Sequence, residues 1–171
     1  MTSTDRIEKR VILRAPVARV WRAISDAREF GSWFQFTLEG DFAPGKRMKG
    51  TFEGELDEAA LVEFQRQLGL RPSKVRQPGQ NEFFCTVERI EPERYFSFRW
   101  TPYGIDAEAD PDHEPTTLVE FRLEAVPEGT LLTIVESGFD RIPAHRRERA
   151  FRMNEQGWNA QAENLSKYVG A

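Results

Sequence analysis

PAHRRERAFRMNEQGWNAQAENLSKYV, residues 143–169, is the stretch on which the fold turns. Phe151, Asn154, Trp158, Ala162, Leu165 and Val169 recur at steps of three and four, so they share one face of a single long helix. Gly157 is the only interior residue of low helix propensity, at a cost of about 1 kcal/mol relative to alanine. A helix with so long an apolar stripe needs a broad apolar surface to lie on.

The residues before it read as strands that supply that surface. Thr117–Leu123 and Leu131–Ser137 form a hairpin around Pro127-Glu128-Gly129, and Phe83–Ile90 returns as Tyr95–Trp100 after Glu91-Pro92-Glu93. Met48–Phe52 follows a Pro44-Gly45 turn, and Phe34, Phe36 and Leu38 alternate into a further strand. At the N-terminus Ile7, Val11 and Leu13 share one parity. Pro16 then opens a helix carrying Val17, Val20, Trp21 and Ile24 on one face. Asp26–Phe34 reads as a second short helix interrupted by Gly31. The order is strand, two short helices, six strands and one long helix, which is an α+β layer fold. Residues 53–80 stand apart, with a short amphipathic helix (Leu61, Phe64, Gln65, Leu68) and a polar loop; we read them as an insertion, either a lid or a dimer contact.

Bulk composition excludes several function classes. With 39% hydrophobic and 30% charged residues, the 171-residue chain has ordinary globular composition. A net charge of −4 and a pI near 5.4 disfavour nucleic acid and anionic membranes as partners. Cys85 is the sole cysteine, so neither a disulfide nor a thiolate cluster for zinc or iron–sulfur can form. The polar residues 1–10 hold no signal peptide and no run approaches a membrane span, so no membrane insertion and a cytoplasmic location are expected.

Four segments resemble a known family. RVILRAPVARVW (10–21) is similar to the opening of the START-like superfamily, also called SRPBCC or birch-pollen-allergen-like, and ERIEPERYFSFRW (88–100) to its central hairpin. GTLLTIVESGF (129–139) and Gly157-Trp158 resemble the branch named after the activator of the heat-shock-protein-90 ATPase. The resemblance implies one START-like domain over 1–171 with a helix-grip fold: a curved antiparallel sheet of six to seven strands around the C-terminal helix, enclosing an apolar cavity. Such folds host carriers, cyclases, hydratases and co-chaperones, so fold alone does not name the activity. A reductase role sometimes attached to relatives fails here, because one cysteine cannot ligate an iron–sulfur cluster and no G-x-G-x-x-G follows a strand.

Parity nominates the cavity wall. Phe96, Phe98 and Trp100 share a strand face; Leu132, Ile134 and Glu136 share another; Phe151, Asn154 and Trp158 come from the helix. Apolar walls with few polar groups match a small-molecule pocket, although each aromatic can equally be core. Glu136 needs either exposure to solvent at the strand end or a partner such as Arg122 or Arg152, because a buried unpaired carboxylate costs several kcal/mol or takes up a proton. The expected role is binding of a small hydrophobic molecule, with no metal and no cofactor. An enzyme using Glu136 as acid or base is the first alternative. A chaperone-interaction module is the second, and a homodimer is open. His145, beside Arg146 and Arg147, reads as a solvated first turn. Asp106, Glu108, Asp110 and Asp112 alternate like half a calcium loop, but Pro111 and Thr117 break the pattern, leaving a solvated loop. Cys85 reads as buried and inert, and Gly157 as a site where a neighbouring element, in the first place the sheet, or a ligand approaches the backbone beside Trp158.

Overall fold

Pro16 holds φ −65° just before the first helix, as its ring requires, and the chain enters helix α1, Val17–Ser25. Asp26 ends that helix and caps the next, α2, Ala27–Phe34, accepting from the backbone N–H of Arg28 (2.9 Å) and Glu29 (3.1 Å). Gly31 does not interrupt α2. It lies inside the helix because the carbonyl oxygen of Phe36 passes 2.0 Å from where a Cβ would stand. Gln35 takes a left-handed conformation (φ 70°) and turns the chain into the strand after α2.

The computed structural model describes residues 5–170. Within them seven strands form one antiparallel sheet: β1, Arg6–Leu13; β2, Phe36–Leu38; β3, Arg47–Phe52; β4, Glu82–Glu91; β5, Tyr95–Trp100; β6, Thr117–Val126; and β7, Gly129–Ser137. Helix α3, Glu58–Gln67, separates β3 from β4, and α4, Ala144–Val169, closes the chain. The strand order β1-β7-β6-β5-β4-β3-β2 sends the first strand to one edge, beside the last. Register irregularities at Met48/Lys49 and Val87/Arg89 bend the sheet where bulges usually do. The fold is the α+β helix grip expected from the sequence. No helix among the described residues is long and apolar enough to cross a membrane.

Register sets one row across the inner face: Ile7 beside Glu136, Glu136 beside Val119, Val119 beside Phe98, Phe98 beside Val87. A carboxylate therefore stands inside an apolar row. The core beneath is aromatic. Phe30 of α2 is fully buried and packs edge-on against Phe42, Phe84, Phe98 and Phe121. Each such ring contributes about 1.5–3 kcal/mol by leaving water. Helix α4 lays Ala150, Phe151, Trp158, Leu165 and Val169 onto this core, with Phe151 meeting Phe139 edge-on at 5.2 Å.

Candidate functional site

Glu136 is fully buried, and among the described residues no basic side chain bonds to it. Arg122 pairs with Glu120 and Arg152 lies near Glu148, so neither arginine expected from the sequence reaches it. Its partners are neutral donors. Oε2 accepts from the indole Nε1 of Trp100 (2.7 Å) and the hydroxyl of Thr117 (2.6 Å). Oε1 accepts from the indole Nε1 of Trp158 (2.9 Å), and the Asn154 amide nitrogen donates to both oxygens at 2.9 and 3.1 Å. Burial holds this carboxyl above its ordinary range, against the pull of the four donors. Five hydrogen bonds occupy the four or so lone-pair sites of a carboxylate.

Those bonds fix the attitude of everything they hold. The Trp100 and Trp158 rings stack at 5.6 Å with an interplanar angle of 27°. Phe34 closes on them at 5.9 and 6.2 Å. In front of this aromatic wall lies a pocket of about 460 Å³, within the range of small-molecule sites. Leu61 and Phe64 of α3 also line it, as do Met153, Gly157 and Gln161 of α4. No charged side chain lines it among the described residues. A smaller chamber of about 170 Å³ adjoins it, and the two share Phe34, Trp100, Tyr103 and Asn154.

Two loops frame the pocket, and α4 holds both. Gln65, the one buried residue of α3, accepts from the Ser73 backbone N–H (2.8 Å) and donates to the Ser73 carbonyl (3.3 Å) and the Tyr103 hydroxyl (3.2 Å). Burial, aided by the nearby Asp106 charge, pushes the Tyr103 phenol up to about 12, so it stays protonated. Arg149 donates to the Arg71 carbonyl (3.0 Å) and to Asp106 (3.1 Å). Arg146 clamps the Pro102 carbonyl (3.1 Å) and Glu114 (2.7 Å). This network corrects two expectations. The acidic loop is not simply solvated, since Asp106 is wholly buried, and the turn around His145 contains Arg146 at 1% exposure.

The structure thus brings Trp100, Asn154 and Trp158 to the pocket and sets Glu136 behind them. Phe96, Phe98, Ile134 and Phe151 are buried in the core and do not line it. At Gly157 the tight helix–sheet contact is not found: among the described residues no atom lies within 4 Å of an added Cβ, and the residue lines the pocket, where a ligand could approach it. Cys85 is buried in β4, its thiol pushed up by burial. No cluster of potential metal ligands occurs among the described residues. Sequence reading missed Phe34, Tyr103 and Met153. The first was absorbed into helix and strand patterns, and Tyr103 sits in a turn with no periodicity to betray it.

Comparison with known proteins places these features. Residues 14–170 match the family model described as Activator of Hsp90 ATPase homolog 1-like protein. No curated protein matches the sequence. Among solved structures, protein MLL2253 from Mesorhizobium loti superposes with a TM-score of 0.64 at 22% identity, covering 96% of each chain. DynU16, from the dynemicin biosynthetic locus, gives 0.64 at 23% identity; 96% of the present chain spans 47% of that one. The Aha1 dimer from Colwellia psychrerythraea gives 0.61 at 15% identity, covering 99% of this chain and 96% of that one. At these identities the likeness is one of fold.

Proposed function

Since this chain belongs to the Activator of Hsp90 ATPase homolog 1-like family, whose fold suits ligand binding, we propose that it binds a small, neutral hydrophobic or aromatic molecule in the pocket before Trp100 and Trp158. The observation that carries this reading is the stacked indole pair facing an uncharged pocket of about 460 Å³. Flat π-faces held at a fixed angle favour a flat apolar guest, because little side-chain freedom is left to lose on binding. Glu136 spends its lone pairs on its own neighbours. That supports a supporting role behind the wall over proton transfer to a ligand.

Native mass spectrometry of freshly purified protein, followed by denaturing extraction, tests the proposal. An apolar compound released at one per chain supports it. A protein that carries nothing and binds no neutral aromatic probe at millimolar concentration overturns it. A second copy of this chain is the protein partner we favour, on the dimeric state named for the Colwellia relative; sedimentation velocity reads it directly. A chaperone partner rests on the family description alone.

A further inference from the structure

Gln156 and Gln161 line the larger chamber alone, whereas two polar atoms belong to residues shared by both chambers. The first is Oδ1 of Asn154. Its amide nitrogen donates to both oxygens of Glu136, each of which also accepts from a tryptophan N–H, and this sets the orientation of the amide. A trigonal amide carries its oxygen away from its nitrogen, so Oδ1 is turned from Glu136. Among the described residues nothing donates to it. The second is the Tyr103 hydroxyl. Gln65 is fixed the same way, since its Oε1 accepts from the Ser73 N–H, and its nitrogen donates to the phenol oxygen. The phenol hydrogen is thereby left over.

From this pair we infer that the ligand is an aromatic or alicyclic compound bearing a neutral hydroxyl group, placed at the waist between the chambers with its ring against the indoles. The inference rests on the pocket reading above and narrows it. The hydroxyl donates to Asn154 Oδ1, an acceptor that would otherwise be covered by an apolar guest and left without a partner, which sites of this kind reject strongly. The Tyr103 O–H supplies the complementary donor to the ligand oxygen. A carboxylate ligand meets an acceptor where it needs a donor. It also meets no cation in the larger chamber, and the arginine that lines the smaller one, Arg76, is already paired with Glu82 at 2.7 Å.

Three probes on the unmodified protein test this by isothermal titration calorimetry at neutral pH: 2-naphthol, 2-methoxynaphthalene and naphthalene-2-carboxylate. The first two share the ring and the oxygen and differ in the donor hydrogen. The expected result is that 2-naphthol binds about tenfold or more tightly than the methyl ether, with the carboxylate weakest. Equal affinity for naphthol and ether, or tightest binding of the carboxylate, overturns the hydroxyl inference while leaving the pocket reading intact. Failure of all three to bind removes both. Tyr103→Phe, which deletes one donor, is expected to weaken naphthol and ether alike and leave the gap between them. Asn154→Ala is expected to close that gap; a gap that persists in a folded Asn154→Ala protein overturns the assignment to Oδ1.

Discussion

At the scale of single residues, Glu136 shows how a carboxylate is kept in an apolar row without a cation. Four neutral donors share the task, and a carboxyl group serves them because both its oxygens only accept. Glu136→Gln replaces one oxygen with an N–H₂ that faces donors instead of acceptors. We expect a loss of about 1–3 kcal/mol in urea denaturation; an unchanged midpoint would mean that the donors find other partners. The pH dependence has a definite sign. In the unfolded chain this group releases its proton near the ordinary 4.5, whereas in the fold burial keeps the proton to higher pH. Between those values the folded state binds more protons, so the contribution of Glu136 declines as pH rises through that window and is constant above it. The difference in unfolding free energy between wild type and Glu136→Gln, measured from pH 4 upward, is expected to fall and then level. A rise would contradict a raised carboxyl. Spacing nominated the residues of this neighbourhood but not the bonds between them. Glu136, Trp100, Asn154 and Trp158 could each be picked out by parity, but three separate elements meet at that carboxylate, and a local pattern offered Arg122 and Arg152 instead.

Among the elements, the two helical glycines make opposite demands. Gly31 admits the Phe36 carbonyl, so Gly31→Ala must push β2 off α2. Gly157 faces open space, so Gly157→Ala is expected to raise stability by about 1 kcal/mol through helix propensity alone, seen as a higher thermal midpoint. A fall would mean that the α4 backbone there has a neighbour after all. The first two turns of α4 carry a different duty. Arg149→Leu leaves the buried Asp106 with the Glu108 backbone N–H at 2.9 Å and, among the described residues, a single cation, Arg146, 3.8 Å away. A cost of about 3 kcal/mol is expected, together with faster hydrogen exchange at residues 70–76 and 103–107, where backbone bonds such as Arg76 to Ile105 join the two loops. Unchanged exchange there would separate Arg149 from the loops. The helices and strands were legible because periods of 3.6 and 2 are local properties. Whether an acidic loop is solvated is not local: Asp106 is buried against Arg146 and Arg149, some forty residues later in the chain.

For the molecule as a whole, a curved sheet, the helices packed on it, and Leu61 and Phe64 of α3 enclose an uncharged space of about 460 Å³. The meander and its gripping helix could be read in outline from the chain, and the register then decided which aromatics became core and which became wall. Phe96 and Phe98 share parity with Trp100, yet only the last lies far enough along β5 to meet the pocket. A ligand that binds the folded state alone stabilises all of it at once: at about one hundred times its Kd, 2-naphthol is expected to add about 2.7 kcal/mol to unfolding. No shift in the thermal midpoint at that concentration would rule out specific binding to the native protein. The Trp100–Trp158 stack has one more consequence. Of the four tryptophans in the chain, these two have their ring centres 5.6 Å apart, close enough for their ultraviolet transitions to mix. The excited state is then shared between the rings, and a paired positive and negative band should appear in the circular dichroism spectrum. The protein thus carries its own optical gauge, whose signal changes when a guest slides against the rings or when the carboxylate behind them is removed.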